Sequence, residues 1–339
     1  MPWNFPFWQV FRFLAPTLMA GNVALLKHAS NVQRSAKAIE SILEKAGVPD
    51  GVFQNLVIGS DKVQMVIDND VVKAVTLTGS ESAGASVAGQ AGKKIKKSVL
   101  ELGGSNPFIV LEDADLDKAA EIGAKARLQN GGQSCIAAKR FIVHEKISDE
   151  FIEKFKRKLS EYTVGDPMDE NTKMGPLSSV DQAEKVKEQV QKSIDLGAKV
   201  ILGDSPDGAV YPPTLVTHVK PGMPLFDEEV FGPVAPVIIA KDTDEAVELS
   251  NRSRFGLGVN LFTNDLKKAQ ELIPEFDDGA VFVNSMVKSD PRLPFGGTKK
   301  SGYGRELAVN GIREFVNIKT VFIEKFQDPD SEEENPNIS

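Results

Sequence analysis

Short apolar runs and amphipathic stretches alternate along the N-terminal part of the chain. Apolar runs at 23–26, 52–58 and 74–77 predict buried strands, because the strands of a parallel sheet are covered on both faces. Stretches with an apolar residue every three or four positions predict helices between them. This alternation is typical of a parallel α/β sheet. The predicted helices are 7–20, 30–46 and 62–67, and the apolar face of the first contains Trp8, Phe11, Leu14, Ala15 and Leu18.

The same alternation continues through the rest of the chain and predicts a second sheet-and-helix unit. Asp115 is the predicted N-cap of a helix that leads into the glycine-rich loop before Cys135. A loosely alternating run at 316–323 predicts an edge strand. The tail at 326–339 is too polar to bury and is predicted to be disordered. The other predicted strands are 141–143, 199–202, 234–239, 256–262 and 279–283, and the other predicted helices are 148–160 and 180–196.

Composition limits the classes of protein to consider. With 339 residues, the chain is long enough for two domains. The net charge of -8 argues against nucleic acid as a bulk electrostatic partner. The single cysteine excludes an intramolecular disulfide framework, so we expect a reducing cytoplasm as the compartment.

The apolar N-terminus does not have the features of a membrane segment. It lacks a basic start, carries Gln9 and Arg12 within the apolar stretch, and contains Pro6 and Pro16. We therefore expect a buried loop and helix here and no membrane partner.

The candidate chemistry centres on Cys135 and Glu101. Cys135 is the only thiol and lies in a glycine-rich polar loop, and Glu101 ends an apolar run just before two glycines. A thiolate is a strong nucleophile toward carbonyl carbon, and a carboxylate at a strand end can act on water. The alternative is that Cys135 is a small buried hydrophobe and Glu101 is a solvated surface residue.

A glycine turn at 78–84 follows the third predicted strand and opens directly into a helix. Such a turn offers free backbone N–H groups and the positive end of the helix to a pyrophosphate. It does not contain the GxGxxG pattern, and a plain strand-to-helix turn is the alternative. The three histidines lie far apart without ligand spacing, which predicts no metal site.

Five segments give the chain a resemblance to the NAD(P)-dependent aldehyde dehydrogenases. In chain order they are PWNFP at 2–6, ELGGSNP at 101–107, QNGGQSCIAAKR at 129–140, EVFGP at 229–233 and PFGG at 294–297. The resemblance extends to about Glu324 and is greatest to the shorter bacterial succinate semialdehyde dehydrogenases.

The resemblance implies an α/β fold with two parallel-sheet domains and an oligomerisation strand. The expected units are a Rossmann-variant cofactor domain at 1–103, a catalytic domain at 104–303, a C-terminal segment with the strand at 304–325, and the acidic tail at 326–339. Relatives carry a substantial segment before the Trp-Asn motif, so we expect the cofactor domain to be incomplete and the chain to be truncated. A homodimer or homotetramer is the expected assembly if that segment is present.

The resemblance also implies roles for the candidate catalytic residues. Cys135 would add to an aldehyde, with the Asn4 amide and the Cys135 N–H as donors to the oxyanion. Glu101 would deprotonate the water that hydrolyses the resulting thioester. The presence of Glu101 counts against transfer of the acyl group to coenzyme A.

NADP or NAD is the implied cofactor. Lys27 stands where it would reach ribose hydroxyls or a 2′-phosphate, and neutral Ser30 stands where many NAD-selective relatives carry Glu, so we expect NADP to be accepted. Alternatively, Ser30 is only a helix cap, which leaves cofactor choice open. The other implied cofactor-binding residues are Trp3, Gly79, Ser80, Gly84, Glu229 and Phe231.

The substrate is expected to be an aldehyde with a distal carboxylate. By resemblance, Arg12 would bind that carboxylate, and Ser289 and Arg292 in the loop that walls the substrate tunnel could assist. Gln129 stands where succinate semialdehyde enzymes carry a second Arg. The alternatives are a structural Arg12 with another small acidic or hydroxylated aldehyde as substrate, such as lactaldehyde or glutarate semialdehyde, or a catalytically silent fragment.

Overall fold

A computed structural model describes residues 1–324; the predicted disordered tail at 326–339 lies outside the described residues. The strands are β1 (Ala24–Leu26), β2 (Phe53–Asn55), β3 (Ala74–Thr78), β4 (Lys97–Glu101), β5 (Asn106–Val110), β6 (Ala138–His144), β7 (Lys199–Leu202), β8 (Thr214–Thr217), β9 (Val234–Ala240), β10 (Phe255–Gly256), β11 (Val259–Phe262), β12 (Val281–Val283), β13 (Thr298–Lys299) and β14 (Gly302–Tyr303). The helices are α1 (Trp8–Met19), α2 (Gln33–Lys45), α3 (Val63–Asp68), α4 (Glu81–Lys93), α5 (Leu116–Leu128), α6 (Ser148–Ser160), α7 (Val180–Asp195), α8 (Pro224–Asp227), α9 (Thr243–Asn251), α10 (Leu266–Leu272) and α11 (Ala308–Arg313).

The largest sheet has seven strands in the order β12-β11-β5-β6-β9-β8-β7. Its strands run parallel except for the last pair, β8 and β7. The two faces of β5 contribute to different cores, because successive side chains of a strand point to opposite faces. Phe108 and Val110 pack with α5 and α6, and Ile109 packs with α7, α9 and α10.

The N-terminal part forms two smaller sheets. β1 pairs parallel to β2, and β3 pairs parallel to β4. β14, which comes from the far end of the chain, pairs antiparallel to β4 and places Gly302 opposite Glu101. The predicted division after residue 103 falls between β4 and β5, which belong to different sheets.

Helix α1 forms where it is predicted, and three of its five predicted apolar residues pack in the N-terminal core, beside polar residues that the pattern does not predict there. Gln9, Arg12 and Thr17 are buried together with Val10 and Leu14, whereas Trp8 is 37% exposed. Each of these polar residues has a hydrogen-bonding partner inside the protein, and a buried polar group is tolerated when it is paired.

The strand predicted at 316–323 does not form in the described chain. Val316, Ile318 and Phe322 are exposed and lie in irregular backbone after α11. A strand requires a neighbouring strand for its backbone hydrogen bonds, and the single chain does not provide one here.

Among residues 1–324, no helix is both long enough and apolar enough to span a bilayer.

Candidate active site

The Cys135 loop is shaped by three consecutive residues in the left-handed region. Asn130, Gly131 and Gly132 have φ values of 55°, 62° and 75° directly after α5. A Cβ on Gly132 would lie 2.3 Å from the carbonyl oxygen of Gly232, so only glycine fits there. Nη2 of Arg127 donates to Gly132 O at 2.8 Å and stabilises the turn. This turn delivers Cys135 to the site just before β6 begins.

The Cys135 side chain lies between opposing charges. Burial raises the pKa of its thiol, the cations of Arg12 and Lys139 oppose that rise, and the carboxylates of Glu229 and Glu101 add to it. Cys135 as a whole residue is partly exposed.

Glu101 ends β4 inside the protein. It is 2% exposed, and neither carboxylate oxygen has a hydrogen-bond partner among the described residues. Burial raises the pKa of Glu101 well above its usual value, and the nearby Glu306 raises it further, against the cations of Arg12 and Arg305. A buried, unpaired carboxylate with a raised pKa has the properties of a general base. The alternative of a solvated Glu101 is wrong.

Asn4 is brought to the Cys135 loop across more than a hundred residues. Its Nδ2 donates to Gln133 O at 3.1 Å, and Nδ2 of Asn130 donates to Asn4 O at 2.9 Å. Gln9 donates from Nε2 to Asn4 Oδ1 at 3.1 Å. An amide nitrogen has two hydrogens, so one N–H of Asn4 remains for a ligand at the cysteine.

Arg12 is buried and ion-paired, and its expected substrate-binding role stays a prediction. Its side chain is 3% exposed and pairs with Glu306, which comes from the segment before α11. The guanidinium also lies 4.2 Å from the centre of the Phe295 ring. Its charge still lowers the pKa values of Glu101 and Cys135, against the effect of burial.

The other two predicted substrate residues are placed differently from each other. Ser289 has a buried hydroxyl without a partner among the described residues. Arg292 is on the surface, where its side chain is 83% exposed and pairs with Asp290 at 2.7 Å. The structure does not bring Arg292 to Cys135, because the neighbouring Asp290 satisfies the guanidinium at the surface.

The glycine turn lies at the same edge of its sheet as Glu101. Thr78 pairs with Glu101, and Gly79 N donates to Glu101 O at 3.0 Å. Ser80 is the N-cap of α4 and accepts from Ala83 N at 3.3 Å. Gly84 packs against Leu102, where a Cβ would be 2.6 Å from a methyl carbon. The N-terminus of α4 therefore lies at the same sheet edge as the candidate base. The positive end of a helix suits an anionic ligand.

Lys27 follows β1, and Nζ donates to His28 O at 3.1 Å. In the part of the chain that the structure describes, no ion pair involves Lys27. Ser30 is exposed and begins a short 3-10 turn, and α2 starts only at Gln33 without a side-chain cap. The expectation that Ser30 caps the helix is therefore wrong.

Trp3, Glu229 and Phe231 are the remaining expected cofactor-binding residues. The rings of Trp3 and Phe231 meet edge to face with 6.0 Å between their centres. Glu229 Oε1 accepts from Gly104 N at 3.0 Å and from Lys139 Nζ at 2.7 Å. A cavity of about 320 Å³ opens beside them, and its other lining residues include Gln182 and Lys185 of α7. This polar cavity beside the Phe231 ring suits a nucleotide sugar.

Several residues of the site escaped the sequence analysis. Gln9 and Glu306 look like ordinary polar residues in sequence, and nothing there indicates their partners. Lys139 and Arg140 gave a readable signal, because two cations directly precede the apolar residues of a buried strand. Gln182 and Lys185 lie on the polar surface pattern of a helix and gave no signal.

Within residues 1–324, no group of acidic, histidine or cysteine side chains is arranged to hold a metal ion.

Several sheets with helices between them carry a thiol, a buried carboxylate, an amide donor and a helix N-terminus, which is typical of a dinucleotide-dependent α/β enzyme that works through covalent catalysis. The chain belongs to the aldehyde dehydrogenase family, whose model, described as "Aldehyde dehydrogenase family", matches residues 1–321. Family membership confirms the predicted fold class and the NAD(P)-dependent dehydrogenase activity.

Several relatives are named for the same substrate. The chain is 52% identical over 326 residues to a succinate-semialdehyde dehydrogenase [NADP(+)] of Mycobacterium ulcerans, covering 95% of this chain and 71% of the relative. It is 53% identical over 327 residues to a probable succinate-semialdehyde dehydrogenase [NADP(+)] of Synechocystis, covering 95% and 72%. The crystal structure of a succinic semialdehyde dehydrogenase from Streptococcus pyogenes in complex with NADP+ superposes with a TM-score of 0.93 at 40% identity, covering 96% of this chain and 72% of that one.

Proposed function

We propose that the protein oxidises succinate semialdehyde to succinate with NADP+. The observation that carries this proposal is the placement of Cys135 near Glu101, which is buried and has no hydrogen-bond partner among the described residues, in a chain 52% identical to a relative named for this reaction. The raised pKa of Glu101 matches the second half of the reaction, in which a water must be deprotonated.

The residues divide the reaction into addition and release. The Cys135 thiolate forms a bond to the aldehyde carbon, and the aldehyde oxygen faces Asn4 Nδ2 and the Cys135 N–H, which stabilise its negative charge. Bound NADP+ supplies the hydride acceptor. Glu101 then takes a proton from the water that attacks the thioester, and the Cys135 thiolate leaves as the acid forms.

The residues described fit a dinucleotide at three points. The N-terminus of α4 with Gly79 and Ser80 would hold the pyrophosphate. Lys27 and Ser30 would face the adenosine ribose, where an ammonium without a neighbouring carboxylate favours a 2′-phosphate. Glu229, Phe231 and the cavity beside them would hold the nicotinamide ribose.

The substrate's distal carboxylate is the least determined part of the proposal. Arg12 is neutralised by Glu306, and Ser289 offers a buried hydroxyl without a partner among the described residues. Another small acidic aldehyde is therefore the competing substrate. Initial rates with succinate semialdehyde, glutarate semialdehyde and lactaldehyde decide between them. We expect succinate semialdehyde to give the highest kcat/KM and Cys135→Ala to abolish turnover; a preference for lactaldehyde would overturn the substrate assignment.

We further propose a homo-oligomer in the cytoplasm. Val321, Phe322 and Ile323 are exposed, and β12 is an end strand of the large sheet, with a groove of about 530 Å³ along it. The exposed segment of one copy fits the open edge of another, because main-chain pairing would bury its apolar residues. Light scattering of the purified protein should give a multiple of the chain mass, and a monomer would contradict this. The single thiol suits a reducing compartment.

A further inference from the structure

Lys139 is a buried cation at the centre of the site. Its side chain is fully buried in β6, and its ammonium has three acceptors. Nζ donates to Gly104 O at 2.6 Å, to Cys135 O at 3.0 Å and to Glu229 Oε1 at 2.7 Å. An ammonium has three N–H donors, so each one is used.

The three acceptors belong to three separate segments of the active site. Gly104 lies just beyond Glu101, Cys135 is the nucleophile, and Glu229 lies in the loop before β9. The hydrogen bonds of one side chain therefore fix the relative positions of these segments. A fully buried charge is costly, and its surroundings repay that cost only when every donor is satisfied.

Lys139 does not itself exchange protons with the substrate in this arrangement. Its three N–H groups point to two carbonyls and a carboxylate, and none remains for a substrate atom. Burial lowers the pKa of Lys139, and the Glu229 carboxylate opposes that change, while the Arg127 guanidinium adds to it. The side chain therefore acts as a fixed charge and a fixed set of donors.

The charges that face Cys135 come from four elements. Arg12 of α1 and Lys139 of β6 favour the thiolate. Glu101 of β4 and Glu229 of the loop before β9 disfavour it. Lys139 and Glu229 form an ion pair, so each partly cancels the other at the sulfur. Removing one partner should therefore shift the reactivity of Cys135 in one direction, and neutralising the other should shift it in the opposite direction.

We propose that Lys139 is a positioning residue that holds the Cys135 and Glu229 loops together and keeps the Cys135 thiol reactive. This deepens the proposed function and rests on it only for Cys135 as the nucleophile. The role follows from the three hydrogen bonds and from the opposed charges of Lys139 and Glu229 beside one sulfur.

The test measures alkylation of the thiol by iodoacetamide as a function of pH in the full chain. Cys135 is the only cysteine, so mass spectrometry reports on it alone. We expect Lys139→Met to slow alkylation at neutral pH by roughly tenfold, which corresponds to a rise of about one unit in the thiol pKa. We expect Glu229→Gln to accelerate it by roughly threefold, because the negative neighbour is gone while the amide still accepts a hydrogen bond.

Controls separate the charge effect from loss of structure. Lys187→Met removes a lysine of α7 that pairs with Asp204 at 2.6 Å, and it should leave alkylation unchanged. If Lys139→Met does not fold, the isosteric Glu229→Gln and the doubly neutral Lys139→Met/Glu229→Gln still test the sign. Equal alkylation in all variants, or slower alkylation in both single variants, would overturn the proposal. If alkylation responds as expected but no aldehyde is oxidised, the proposed function fails and the role of Lys139 stands.

Discussion

Gln9 and Asn4 form a hydrogen-bonded pair of amides, with 3.1 Å from Nε2 of Gln9 to Oδ1 of Asn4. The oxygen of Asn4 is thereby turned toward α1 and its nitrogen toward Gln133 O in the Cys135 loop. Gln9 is 2% exposed, and its own Oε1 has no partner among the described residues. The pair thus fixes which end of the Asn4 amide faces the nucleophile.

Replacing Gln9 should weaken catalysis through Asn4. Gln9→Met keeps the volume but removes the donor, so the Asn4 amide loses its fixed orientation, and kcat should fall roughly tenfold, less than loss of an oxyanion donor itself costs. In an Asn4→Ala background the same substitution should have no further effect on kcat. Val10→Ala, a buried substitution on the same helix, is the control. An equal loss from Gln9→Met in both backgrounds would contradict this coupling.

Glu101→Gln should separate the two halves of the reaction. The amide cannot accept a proton from water, so the thioester accumulates after one hydride has been transferred. We expect a burst of about one NADPH per active site followed by a steady state roughly a hundredfold or more slower, measured by stopped-flow absorbance. Glu112→Gln, at an exposed ion pair with Lys146, should behave as wild type. Equal steady-state rates for wild type and Glu101→Gln would rule out the assigned base.

Glu306→Gln should shift the pH profile to lower pH. The Glu306 carboxylate raises the pKa of Glu101, and Arg12 lowers it. Neutralising Glu306 removes the first effect and frees the charge of Arg12, so both changes lower the pKa of Glu101. Because the base works in its ionised form, the rate is lost as pH falls through that pKa, and the acid limb of steady-state turnover should move down.

Arg12→Met should shift the pH profile in the opposite direction to Glu306→Gln. Loss of the guanidinium should raise the pKa of Glu101 and move the acid limb up, provided that the protein folds. Removing one member of a buried ion pair costs on the order of 3–5 kcal/mol of stability, so thermal unfolding must be recorded beside the profile. Shifts in the same direction for both variants would show that the pair does not tune Glu101 by charge.

Ser30→Glu should change the cofactor preference. A carboxylate beside Lys27 would repel a 2′-phosphate and accept hydrogen bonds from a ribose 2′-OH. We expect KM for NADP+ to rise roughly tenfold or more, with KM for NAD+ unchanged or lowered. Asn31→Ala, at the neighbouring exposed position, is the control. An unchanged ratio of the two KM values would show that residue 30 does not face the ribose.

The sequence by itself determined the order and type of the main elements and the residues with distinctive chemistry. Apolar runs and helical spacing are local patterns, so they predicted β1 to β4, the helices between them, and the N-cap at Asp115, which accepts from Lys118 N at 3.1 Å. Family motifs around Cys135 and Glu101 predicted the α/β fold. Both kinds of information lie in short stretches of chain.

Only the tertiary structure decided the environment of those residues. Arg12 pairs with Glu306, which is 294 positions away in the sequence, and Lys139 pairs with Glu229, which is 90 positions away. Periodic patterns carry no information over such sequence separations. The buried face of α1 includes polar residues because partners from distant segments meet them. The run at 316–323 stays unpaired because a strand needs a neighbour and none lies beside it among the described residues. Hydrogen bonds and ion pairs depend on which groups meet in space, and that is settled only when the segments pack together.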